Sequence, residues 1–191
     1  MRPSILLFVS FVLLGLSAAV VSVSGRAFQR NHDSPLNHRL NRGIDDSSTW
    51  LLKDIQPQWL TQKLDHQDLT STATFQQQYF VNDQYFNKVQ PIVFLMIGGE
   101  GPISPAYVSG HFNIGPLAER FGALQVALEH RFYGQSVPNN DSSTANLKFL
   151  SSAQALQDLV TLHQVITQQF GQAKWVVFGG SYSGSLSAWA R

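Results

Sequence analysis

Apolar residues fall along this chain in a few short unbroken runs, and between two of those runs they recur at helical spacing. Pro91 to Ile97 is apolar throughout, the pattern of a strand buried on both faces, as the inner strands of a parallel sheet are. Ala123 to Leu128 reads as a second strand, and Trp175 to Phe178, too short for a helix and rich in β-formers, as a third. Between the last two, Leu156, Leu159, Val160, His163, Ile166 and Phe170 recur at three and four residues, which predicts a helix over Ser151 to Phe170 with one apolar face. Ser151 and Gln154 form a capping box at its start, and Gly171 stops it. A shorter helix is expected from Pro116 to Phe121, with proline at its first position and Gly122 closing it. Upstream, Gln62 to His66 and Thr74 to Val81 alternate loosely and suggest a pair of early strands, a hairpin. The order of elements describes a doubly wound α/β domain with a parallel sheet.

The first 58 residues are of another kind. Arg2 is followed by the nearly continuous apolar stretch Ile5 to Leu16 and then by small residues through Ser22, Ser24 and Gly25, the form of a secretory signal peptide over residues 1–24. The alternative is a signal anchor, since weak apolar character persists to Val23, close to the roughly 20 residues that span a bilayer. Residues 25–58 are polar, mixed in charge and without periodicity, so a flexible leader is expected there and the folded part over 59–191. His32 and His38 read as solvated histidines of that leader, because no second ligand pair stands at helical or hairpin spacing.

Composition removes several function classes. A hydrophobic content of 43% with 12% aromatics supports a globular core. A net charge of +1, with the basic residues scattered, offers no footprint for nucleic acid. With no cysteine there is no disulfide, no thiolate metal site and no cysteine nucleophile, and nothing calls for a metal or cofactor. Asn140-Asp141-Ser142 is an acceptor for N-glycosylation in a polar loop.

The chemistry concentrates at the carboxyl ends of two strands. After Phe178 come Gly179, Gly180, Ser181, Tyr182 and small residues through Ser185 that open a helix, so strand, tight turn, serine and helix make a nucleophile elbow around Ser181. Residues two before and two after such a serine must be small, and Gly179 and Ser183 fill those places, Ser183 where glycine is usual. The Tyr182 N–H, at the start of the helix, is the first oxyanion donor. Gly98-Gly99-Glu100-Gly101-Pro102 ends the buried strand upstream, and Gly99 is the second backbone donor by its place in such a loop. Glu100 is a candidate for binding a cationic group of a substrate, or a turn cap. The competing readings are a glycine-serine turn and a plain glycine turn without chemistry. His66, at a polar strand end, and His130, packed between Glu129 and Arg131, read as structural residues rather than bases.

Phe178 to Leu186, Ala188 to Arg191, Leu128 to Ser136 and Gly98 to Gly101, with Leu64-Asp65-His66 and Phe80 to Asp83, resemble the serine peptidases that include lysosomal Pro-Xaa carboxypeptidase, dipeptidyl peptidase II and thymus-specific serine protease. Gly98-Gly99-Glu100-Gly101 has glycine where the two prolyl-specific members carry asparagine, which sets the chain nearest to the thymus-specific branch. The resemblance implies an α/β-hydrolase fold with an inserted helical domain, a Ser, Asp, His triad with Ser181 as nucleophile, and exopeptidase activity in lysosomes, endosomes or outside the cell. It implies a peptide as partner, no membrane insertion once the signal is removed, and a homodimer of the longer protein. In this fold the acid and the base follow the serine in the chain, and after Ser181 there is neither Asp nor His. The expectation is therefore an N-terminal part of a longer enzyme, inactive alone. Esterase or lipase chemistry on the same elbow, and a short product that binds peptides without cleaving them, are the alternatives.

Overall fold

The computed structural model describes residues 7–8, 55–109 and 114–190. Nearly all of the expected signal peptide and leader, and residues 110–113, lie outside them. Among the described residues six strands form one sheet: β1 (Leu7–Phe8), β2 (Gln58–Lys63), β3 (Thr74–Asn82), β4 (Ile92–Ile97), β5 (Ala123–Leu128) and β6 (Lys174–Phe178), in the order β1-β6-β4-β5-β3-β2. Among the described residues the α-helices are α1 (Ile114–Phe121), α2 (Ser152–Phe170) and α3 (Ser181–Trp189).

Three apolar runs in the sequence become adjacent parallel strands, β4 lying between β5 and β6 with Ile97 opposite Leu128 and Met96 opposite Phe178. β1 adds a parallel pair of residues to the free side of β6. The sheet is mixed rather than wholly parallel, because β2 and β3 form an antiparallel hairpin and β3 runs antiparallel to β5. The first strand of that hairpin ends at Lys63, so Leu64, Asp65 and His66, expected within it, lie past its end.

Each central strand alternates its side chains between two cores, as the twofold period of a strand requires. Val93, Leu95, Ile97, Leu124, Val126, Trp175 and Val177 meet Leu159, Leu162 and Ile166 of α2 and Leu186 of α3. Phe94, Ala123 and Phe178 point to the opposite face and meet Ile114 and Ala118 of α1. Complete burial of Leu162 or Ile166 contributes about 1.5–3 kcal/mol each.

α2 keeps its expected bounds, the Ser151 hydroxyl accepting the Gln154 N–H and Gly171 stopping the helix at φ 89°, but the capping box is half made, because the Gln154 side chain bonds the His66 N–H and Asp65 instead. Its buried face is turned from the expected one. Ala155, Asp158, Leu159, Leu162 and Ile166 are inside, whereas Val160 and His163 are exposed. The reason is chemical: Asp158 is drawn inward by a buried arginine. Leu156, Val160 and His163 line instead an open apolar groove of about 390 Å³ with Trp175 and Trp189.

Candidate active site

β6 ends at Phe178 and α3 begins at Ser181, with only Gly179 and Gly180 between them. So abrupt a reversal drives Ser181 to φ 53°, the left-handed region that an L-residue enters at a cost of about 1–2 kcal/mol. Gly179 is required by contact: a Cβ there would stand 2.2 Å from the Ser183 carbonyl oxygen and 2.6 Å from Ser187 Oγ. Ser183, in the place where glycine is usual, earns its hydroxyl. It accepts the Gly180 N–H at 3.1 Å and donates to the Gly180 carbonyl at 2.9 Å, tying off the helix start. Ser181 itself is exposed.

The Tyr182 N–H lies at the second position of α3, where a helix leaves its backbone donors unpaired. The glycine loop after β4 comes to the same place, since a Cβ on Gly99 would lie 3.7 Å from Ser183 Oγ. Among the described residues, neither the Gly99 nor the Tyr182 N–H is taken by another group. Glu100 is exposed and, with His130, Tyr133, Leu150, Ser152 and Tyr182, lines a cavity of about 210 Å³ beside the elbow. Asn140 is exposed in the turn after Pro138, at φ 52°.

The loop after β5 is built around two buried charges. The Glu129 carboxylate takes hydrogen bonds from the Ser136 hydroxyl (2.6 Å), the Gln135 N–H (2.9 Å) and the Ile103 N–H (3.1 Å), the last anchoring the far end of the glycine loop. Gly134, at φ 53°, is obligatory, because a Cβ would overlap Glu129 Oε1 at 1.9 Å. Arg131, fully buried, forms a bidentate pair with Asp158 (Nε to Oδ2 2.8 Å, Nη2 to Oδ1 2.6 Å) and donates also to the carbonyls of Lys63, Leu64 and Phe149. Leaving either partner alone in the interior would cost about 3–5 kcal/mol.

Three histidines are described, and all are engaged away from the Ser181 hydroxyl. His66 Nε2 is 2.8 Å from Asp158 Oδ1, the spacing of a base with its orienting acid, but that acid is already held by Arg131. His163 packs against the Trp175 ring. His130 Nδ1 bonds the Arg131 carbonyl at 2.8 Å, and its Nε2 lies 3.3 Å from the Tyr182 hydroxyl. Burial chiefly lowers the His130 pKa below the usual 6.5, against the upward pull of the Arg131 carbonyl and the Asp158 and Glu100 charges. Among the described residues no group of three or more His, Asp or Glu side chains could hold a metal ion.

A strained serine between a buried strand and a helix, with the untaken N–H groups of Tyr182 and Gly99 nearby, is an arrangement that acyl transfer uses. The sequence pattern of the family described as serine carboxypeptidase S28 matches residues 62–191. The chain belongs to this serine peptidase family. A Caenorhabditis elegans relative, K12H4.7, is 50% identical over 162 residues, which cover 83% of this chain and 30% of that protein. Human thymus-specific serine protease is 44% identical over 137 residues, 70% of this chain and 26% of its own length. Human lysosomal Pro-X carboxypeptidase is 34% identical over 145 residues, 73% of this chain and 29% of its own. The chain thus spans less than a third of these relatives. As a member of the family it carries an α/β-hydrolase sheet with the elbow at the carboxyl end of β6.

Three elements of the site are absent from the motif reading. Ser152 and Tyr133 line the cavity by Glu100, and Asp158 pairs with Arg131. An Asp on the apolar face of a helix, in a chain with a charged run at a strand end, was the available signal for the last of these.

Proposed function

We propose that this sequence supplies the nucleophile and oxyanion donors of a serine exopeptidase that cleaves peptides through an acyl-enzyme on Ser181. The observation that carries the reading is Ser181 at φ 53° between β6 and α3. Its Oγ attacks the scissile carbonyl carbon while a base takes its proton. Negative charge then forms on the carbonyl oxygen, to which the Tyr182 and Gly99 N–H groups donate. Collapse expels the amine, which takes the proton, and water releases the acyl group by the reverse route. The acid and the base are assigned to sequence beyond Arg191. Supporting this are relatives more than twice as long and the engagement of all three described histidines elsewhere. Residues 1–191 alone are then inactive.

Glu100, the only carboxylate among the described residues that line the cavity beside Tyr182, receives a cationic group of the peptide. The signal-like N-terminus and the name of the lysosomal relative support delivery to lysosomes, endosomes or the outside, with a glycan on Asn140. The test is hydrolysis of peptides blocked at one terminus or the other by the full-length protein. Turnover lost in Ser181→Ala, together with fluorophosphonate labelling that maps to Ser181, supports the reading. Peptide cleavage undiminished in Ser181→Ala overturns it.

A further inference from the structure

The Tyr182 side chain has a role of its own, distinct from that of its backbone. Its hydroxyl lies 3.3 Å from His130 Nε2 and 3.1 Å from the Ser152 hydroxyl, so residues from the loop after β5 and from the first turn of α2 grip the first turn of α3. The direction of the chain follows from what each atom can do. The Arg131 carbonyl only accepts, so His130 Nδ1 carries the proton and the neutral ring presents Nε2 as an acceptor. Tyr182 therefore donates to His130, and its oxygen is left to accept from Ser152. Edge contacts hold the imidazole between two rings, Tyr182 at 5.4 Å and Tyr133 at 5.5 Å.

We propose that His130 and Ser152 are positioning residues that fix Tyr182 by its phenol and thereby keep its backbone N–H aimed at the developing oxyanion. The inference rests on the acyl-transfer reading of Ser181. The φ 53° turn at Ser181 is the reason such a grip is needed. A strained residue is held only where its surroundings over-determine it, and of the near neighbours of Ser181, Gly179 and Gly180 have no side chain while the Ser183 hydroxyl ties only Gly180. The phenol, held at its far end by His130 and Ser152, fixes the residue next to the strain.

His130 acts in this way as the neutral ring. An imidazolium would donate from Nε2, turn the Tyr182 hydroxyl into an acceptor and compete with Ser152 for its oxygen. The groups facing the ring are Glu100 from the glycine loop, Arg131 and Tyr133 from its own loop, Asp158 from α2 and Tyr182 from α3. Burial outweighs the two carboxylates and lowers the His130 pKa.

The test uses the full-length protein with Tyr182→Phe, which removes one oxygen, His130→Gln, whose amide oxygen can still accept, and His130→Leu, which cannot. Removing an oxyanion donor outright costs about 100- to 1000-fold in kcat, so loosening one is expected to cost on the order of tenfold. Tyr182→Phe and His130→Leu should lower kcat by that amount with KM within about twofold, and His130→Gln should restore most of it. Independently of turnover, the His130 pKa read by NMR should rise in Tyr182→Phe, since Nε2 loses its donor. Unchanged kcat in Tyr182→Phe, equal loss in His130→Gln and His130→Leu, or an unmoved His130 pKa would overturn the inference. A protein in which Ser181→Ala costs nothing fails the acyl-transfer reading first, and the NMR result still decides whether Tyr182 donates to His130.

Discussion

At the elbow the chain is exposed, strained and surrounded by small residues, whereas around Arg131 and Asp158 it is sealed from water and satisfied by a dense set of hydrogen bonds. The two regions meet through single bonds. Glu129 holds the Ile103 N–H at the end of the glycine loop, and the Arg131 carbonyl holds the imidazole that touches Tyr182. A nucleophile must be open to substrate and so gathers few contacts of its own. The rigidity that keeps it in a costly conformation comes from neighbours that take no part in the chemistry.

The largest effect should come from the buried side of this comparison. Asp158→Ala in the full-length protein leaves the Arg131 guanidinium in the interior with carbonyls for company and takes the partner from His66. A loss of about 3–5 kcal/mol is expected in urea unfolding. A loss under about 1 kcal/mol would mean that the pair is no better than a surface ion pair.

Gly179→Ala comes next, and it strikes the elbow by shape alone. The added Cβ would press on Ser183 backbone atoms at 2.2 and 2.4 Å, so the start of α3 must move. Overpacking of this kind costs about 1–3 kcal/mol. Turnover should suffer more than stability, because a displacement of about 1 Å at a reacting group can cost about 100-fold. Parallel measurement of kcat and the urea midpoint checks this, and equal, small losses in both would show that the turn can relax.

Ser181→Gly should act in the opposite sense on the two properties. It removes the nucleophile and also the strain of an L-residue at φ 53°, so stability should rise by about 1 kcal/mol as activity is abolished. Ser181→Ala keeps the Cβ and is the control: activity lost, stability unchanged. Equal stability of the glycine and alanine variants would place no strain at the elbow.

The same contrast explains what could be read from the sequence. The elbow was legible because its rules are local: Gly179, Gly180 and Ser181 must follow a strand and precede a helix, and all of it lies within a dozen residues. The central strands were legible for the same reason, each a short apolar run. The buried cluster was not, since it joins Gln62, Gln77, Arg131 and Asp158, which come from β2, β3, the loop after β5 and α2. The face of α2 was misjudged at that point, because periodicity ranks Val160 above Asp158 while only the fold brings an arginine to Asp158. The antiparallel hairpin was expected, but its pairing with β5, which makes the sheet mixed, depends on contacts across the chain.

The smallest expected effect joins both regions through one proton. Burial, with Arg131 beside it, lowers the His130 pKa against the Arg131 carbonyl, Asp158 and Glu100, so between the folded value and 6.5 the unfolded chain binds a proton that the folded chain refuses. Stability therefore rises with pH across that window; the contribution is whole above 6.5 and is lost as pH falls through the folded value. Carboxylates elsewhere give their own slope, so the measurement is a difference: urea midpoints of wild type and His130→Gln from about pH 7.5 to about pH 5. The wild type should lose more stability than the variant as pH falls below 6.5. Identical slopes would show that His130 binds its proton as readily folded as unfolded, and a steeper slope in the variant would reverse the sign of the burial argument.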